Sequence, residues 1–200
     1  MSLPANLSTP EAIKAELNIP LTDTGIDSFI SIAQGWADSR IVELCNQQIL
    51  TTTQTLQFFG DLGRIRMVLP NFPVVSITSL KSSQNTLPFS FTNVSYPFAL
   101  FPTDDKGNAD IYFPSGFYGG MVYQLAYIYG SATVPATVAN VAVEMVTMAV
   151  RESSVTSAGK SRLGVSSDSW TEQITRSTTY KDSLPKWRSM LKPFTKFTSA

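Results

Sequence analysis

The chain has 200 residues, enough for one domain or a domain with an appendage, and it can bury roughly 70% of its unfolded surface if all of it packs. It contains no histidine and a single cysteine, Cys45, which excludes serine–histidine chemistry, histidine-based zinc sites and any disulfide within the chain. Formal charge sums to zero, but residues 1–150 hold 6 Lys/Arg against 11 Asp/Glu (6 − 11 = −5) and residues 151–200 hold 9 against 4 (9 − 4 = +5), so the tail is attracted to the protein's own body or to an acidic neighbour.

In chain order, Met1–Asn6 has neither a basic start nor an apolar run, and no segment is long and uncharged enough to span a bilayer. The expectation is a soluble protein made in the cytoplasm. Ser8 and Glu11, with Pro10 in the first turn, form a capping-box pattern that predicts a helix over 8–17. Asn18-Ile19-Pro20 stops it. Thr24 and Asp27 repeat the pattern ahead of a longer helix over 24–48, whose stripe of Ile26, Phe29, Ile30, Ala33, Trp36, Ala37, Ile41, Leu44 and Cys45 faces other helices. Cys45 on that stripe reads as a small buried thiol.

From 51 to 130 the composition shifts to Thr, Phe, Tyr, Gly and Pro in short alternating runs, which predicts an antiparallel β region. Strands are expected near 54–59, 64–69, 74–81, 88–93, 109–113 and 121–129. In the third, strict alternation places Val75, Ile77 and Ser79 on one face and Val74, Ser76 and Thr78 on the other. Pro135 opens a helix over 134–152 that apolar residues nearly encircle. Residues 153–180 are rich in Ser and Thr and lack helical periodicity. After them, 181 to about 197 predicts a basic, aromatic helix broken near Pro193. The fold class expected is α+β: a helical-bundle core with an inserted antiparallel β region, forming a body over 1–152, and an extended C-terminal arm over 153–200 ending in a helix.

Motifs that promise chemistry fail on inspection. Ala158-Gly159-Lys160-Ser161 ends like a phosphate-binding loop, but Ser154 stands where the motif needs its first glycine and a helix precedes it. Asp104-Asp105-Lys106-Gly107-Asn108-Ala109-Asp110 has calcium-loop character, yet Ser115 occupies the place of the closing glutamate, so a hairpin turn is the better reading. The aromatics of the β region lack the basic groove that single-strand binders pair with them, which favours core and subunit interface. No catalytic residue, cofactor or metal site is expected.

Ser8–Ile19, then Thr22–Asp27 and the long helix, Leu69-Pro70-Asn71-Phe72-Pro73-Val74-Val75-Ser76-Ile77-Thr78-Ser79-Leu80, Tyr127-Ile128-Tyr129-Gly130 with Val134-Pro135 and the buried helix, and the closing Leu184–Phe194 together resemble, in that order, the head-to-tail connector (head-completion adaptor) proteins of tailed phages. Residues 82–108 have no close counterpart there and look like an enlarged β insertion. The resemblance implies a non-enzymatic virion protein at the head–tail junction. Its partners would be further copies in a ring (a dodecamer in the family), the portal protein above, and a further connector, stopper or tail protein below. DNA would pass through the lumen without sequence recognition, and no membrane is involved. The arm and its helix are then expected to dock on the portal, with Trp170, Trp187, Met190, Leu191 and Phe194 as anchors and Lys186, Arg188 and Lys192 fixing orientation. The alternatives are a tail-completion or tail-terminator ring protein and, from another class, a small-ligand-binding or hydrolytic β domain.

Overall fold

The computed structural model describes residues 6–61, 63–103, 108–156 and 177–196, with the side chains of 153–156 outside that set. Among them are four α-helices, α1 (Pro10–Leu17), α2 (Asp27–Cys45), α3 (Ala136–Thr156) and α4 (Thr178–Leu191), the last running into a 3-10 turn at Lys192–Phe194. The strands are β1 (Thr52–Phe59), β2 (Arg66–Val68), β3 (Val74–Gln84), β4 (Thr92–Asn93), β5 (Ala99–Pro102), β6 (Ala109–Tyr112) and β7 (Met121–Tyr129). The fold is therefore mixed α+β with antiparallel sheets. It divides into a helical unit, residues 1–46 with 134–195, and a β unit, residues 47–133 with 196–200.

The helical unit is built on small and aliphatic side chains. Ile30, Ala33, Ala37, Ile41 and Cys45 of α2 and Val138, Val141, Ala142, Met145, Val146 and Ala149 of α3 are fully or almost fully buried. These are the steps of three and four that put one stripe on each helix. Burial pushes the Cys45 thiol up to about 12, as suits a packing residue and not a nucleophile. The first helix starts one residue later than the capping pattern suggests. Thr9 is the N-cap, its Oγ1 accepting from the Ala12 amide at 3.3 Å, while the Ser8 carbonyl accepts from Gln34 Nε2 at 2.8 Å. At the second, Ile26 stands at the cap and Asp27 instead pairs with Lys14 Nζ at 2.6 Å. Lys14 also donates to the carbonyls of Leu21 and Asp23, at 3.3 and 2.7 Å, so one buried ammonium ties the α1–α2 connection together.

In the β unit a four-stranded sheet has the order β1-β7-β3-β4 and a three-stranded sheet the order β2-β6-β5. β1 pairs along its whole length with β7, which pairs with β3 on its other side. Its Tyr123, Leu125, Tyr127 and Tyr129 enter a core completed by Met67, Leu69, Leu80, Ile111, Phe113 and Phe117. Strict alternation in β3 does not hold. Register shifts between Val74 and Ser76 and between Ile77 and Ser79 add residues to the strand, so Val74 and Ile77 both pack on the core and Val75 is exposed. The expected strand over 88–93 shrinks to Thr92–Asn93, and β5, with only four residues and a terminal proline, had no alternating run to reveal it. Two glycines are sterically required: a Cβ on Gly60 would lie 1.9 Å from the Tyr118 carbonyl oxygen, and one on Gly130, at φ +100°, 2.5 Å from that of Leu50.

Candidate docking surfaces

α4 lies in the helical unit, packed on α3 and α2. It begins at Ser177, whose hydroxyl accepts from the Tyr180 amide at 3.1 Å, and it continues through Pro185. Pro193 does end it, in the 3-10 turn. Of the expected anchors, Trp187 is 1% exposed and Leu191 is fully buried within this unit. The Trp187 ring meets Tyr180 edge-on at 5.7 Å, Tyr180 lies 6.0 Å from Trp36, and the Tyr180 hydroxyl accepts from Arg40 Nε at 2.5 Å.

One carboxylate on α3 organises the contact. Glu144 accepts from Trp187 Nε1 at 3.0 Å and from Lys186 Nζ at 2.8 and 2.9 Å. Partial burial pushes its carboxyl up, but the Lys186 and Trp187 donors outweigh that and leave it below the usual range, so it is ionised at neutral pH. The expected orienting cation Lys186 is thus paired inside the chain. Arg188 and Lys192 are exposed, Met190 and Phe194 are half-buried, and Trp170 lies outside the described residues, as does the Ala158–Ser161 motif. The Asp104–Gly107 part of the acidic loop also lies outside them. Beside this contact a cleft of about 590 Å³ runs between Glu16, Thr147, Arg151, Ser183 and Trp187; the Thr147 hydroxyl is buried there with no hydrogen-bond partner among the described residues.

A second surface belongs to the β unit, and sequence reasoning did not single it out. On the outer face of the three-stranded sheet, Arg66, Tyr112 and Ala99 stand in one row and Val68, Asp110 and Phe101 in the next. The Arg66 guanidinium lies 5.7 Å from the centroids of both Phe101 and Tyr112, and those two rings meet edge-on at 5.5 Å. Val68 is 65% and Phe101 42% exposed. The signal available was the alternation in Arg66-Met67-Val68 and Ala109-Asp110-Ile111-Tyr112, which separates an inner from an outer face.

Among the described residues no group of three His, Cys, Asp or Glu side chains is placed to hold a metal ion, and no helix is long and apolar enough to cross a membrane. No protein-family description matches the sequence, and no curated protein does. Solved structures do resemble it. One is a chain in the neck of an empty GTA (gene transfer agent) particle computed with C6 symmetry, 13% identical, matching 87% of this chain and 93% of that one with a TM-score of 0.53. Another is a chain in the virion of the native gene transfer agent particle, 16% identical, matching 87% and 92% with a TM-score of 0.55. At such identities the likeness is one of fold, and it extends over nearly the whole of each chain.

Proposed function

We propose that this chain is a structural subunit of the head-to-tail neck of a tailed phage or phage-like particle. Several copies form a ring beneath the portal and continue the DNA channel toward the tail. The observation that carries the reading is the near full-length fold likeness to chains from a neck and a virion of one kind of phage-like particle. It agrees with the independent resemblance of the sequence, piece by piece and in order, to head-to-tail connectors. The ring size is that of the family, a dodecamer, with the portal on one side, a further connector, stopper or tail protein on the other, and DNA passing without sequence recognition. The role is mechanical, and no reaction is assigned to it.

In this reading α4 presents a surface instead of inserting its largest side chains. Trp187 and Leu191 fix the helix to its own unit, and Arg188 and Lys192, with the partly covered Met190 and Phe194, meet the portal. Electron microscopy of the purified protein, alone and mixed with the portal protein of the same particle, tests it. Rings that stack coaxially on the portal are expected, together with contact that weakens as salt is added and on charge reversal of Arg188 and Lys192. A chain that stays monomeric in both samples would overturn the proposal.

A further inference from the structure

The four edges of the two sheets are not alike. β4 has two residues, β2 three, and β5 four ending in Pro102, which are the short or proline-bearing edges by which proteins avoid unwanted strand pairing. β3, which β4 covers only at Lys81 and Ser82, is interrupted along its uncovered part by two register shifts, and β1 has neither device. Its eight residues, Thr-Thr-Gln-Thr-Leu-Gln-Phe-Phe, carry no charge, proline or glycine, and pair with β7 without a register break. Among the described residues nothing pairs with its other side.

The phase of that free side follows from one bond. The Gly60 amide donates to the Met121 carbonyl at 2.9 Å, in step with the β1–β7 ladder. Antiparallel pairing alternates, so the amides of Thr53, Thr55, Gln57 and Phe59 point away from β7. All four of these residues are exposed, Phe59 to 68%. One of the carbonyls, that of Thr55, is held by the side-chain amide of Gln54 at 3.1 Å, a local bond that an incoming strand would displace. An uncharged, straight edge of this length is a hazard for aggregation when bare. It needs an occupant present in the same amount whenever the protein is made.

We propose that β1 is a strand-accepting edge and that its occupant is an extended segment of a second copy of this chain, so that neighbouring subunits share a sheet. The choice of occupant rests on the ring reading above, in which every subunit has a neighbour of its own kind. The lack of charge along β1 also removes like-charge repulsion between copies. In a closed ring the contact is head-to-tail, β1 of each copy receiving a different surface of the next.

The test compares the full chain with Gln57→Pro and Thr55→Lys by sedimentation velocity across a concentration series. Proline at 57 removes an amide that faces the free side and leaves the bonds to β7, and lysine at 55 sets a charge on the edge. Both variants are expected to keep their far-ultraviolet circular dichroism and to need at least tenfold more protein to assemble. Hydrogen exchange on the unmodified assembly, which requires no variant, should show the amides of Thr53, Thr55, Gln57 and Phe59 protected in the ring and open in the monomer. Undiminished rings from folded variants, or unprotected amides in the parent ring, would sink the edge proposal and leave the neck reading standing. Variants that still form rings but lose the portal would show a foreign strand and equally overturn it. A parent chain that never assembles removes the ring reading itself, and this choice of occupant with it.

Discussion

The helical unit and the β unit bury apolar surface in opposite styles. Among the described residues the helical unit interlocks small and aliphatic side chains and leaves only Leu21 and Ile32 of its large hydrophobics exposed, whereas the β unit exposes Phe59, Ile65, Val68, Val75, Leu87, Tyr96, Phe101 and Tyr118. Its interior is aromatic: Phe58 stacks on Tyr123 at 5.5 Å, and Phe117 meets both, at 5.3 and 5.2 Å. The difference separates a unit closed on itself from one whose surface is still partly apolar, and contiguous apolar surface marks where a partner sits.

The sharpest way to break this comparison is at Trp187, because it decides whether α4 belongs to the closed unit. Trp187→Ala removes a fully buried indole and one of the donors to Glu144, and should destabilise the helical unit by about 3–5 kcal/mol in urea unfolding. Trp187→Phe keeps the ring against Tyr180 and loses only the N–H, leaving Glu144 with Lys186; about 1 kcal/mol is expected. If Trp187→Ala costs less than about 1 kcal/mol, α4 is not integral to the unit, and its apolar face is free to serve a partner.

That residue also shows how far the sequence could be read. The periodic spacing of Leu184, Trp187, Met190 and Leu191 made a helix with an apolar stripe legible, but periodicity states that a stripe will be buried and not by what. The excess positive charge of the tail suggested an acidic neighbour; part of that neighbour is Glu144 of the same chain, at 2.8 Å from Lys186. In the β region short alternating runs located β1 and β7, which pair with each other without a register break. β3 defeated alternation through its two register shifts, which depend on the partner strand and leave no mark in the local pattern. The outward sheet face needed strand pairing to bring Arg66, Phe101 and Tyr112 together, three residues from separate stretches of chain.

A subtler probe of the β interior is the buried hydrogen bond from the Tyr127 hydroxyl to Asn71 Oδ1 at 2.9 Å. Burial, with Tyr129 beside it, pushes the Tyr127 phenol up to about 12 against the lowering effect of Asn71, so it remains a donor through the neutral range. Tyr127→Phe keeps the ring and strands the Asn71 oxygen, which should cost about 1–2 kcal/mol of β-unit stability. A change below a few tenths of a kcal/mol would mean that ring packing alone holds this core.

The smallest effect expected lies in the closed unit, where one group is not at ease. Asp38 on α2 receives the Leu7 amide through both carboxylate oxygens at 3.3 Å. Burial nevertheless pushes its carboxyl up to about 6 from an ordinary 3.8, with the Leu7 bond opposing. A raised folded-state value means that the folded protein holds the proton more tightly than the unfolded chain. Its stabilising contribution is therefore full below about pH 4 and lost as pH rises through about 6. At pH 8 the folded unit carries a charge it would be more stable without. Asp38→Asn keeps an oxygen for the Leu7 amide and removes that charge, so it should raise stability at pH 8. A shift of this size corresponds to about 3 kcal/mol if fully expressed, and solvent screening at this half-buried position reduces it to about 1 kcal/mol. The gain should fade to nothing by about pH 4, where parent and variant are both neutral at this site. Because every other titrating group is common to the two proteins, the difference between their unfolding curves across pH isolates Asp38. A difference that stays flat from pH 4 to 8 would show that the carboxylate is as well solvated in the folded unit as in the unfolded chain.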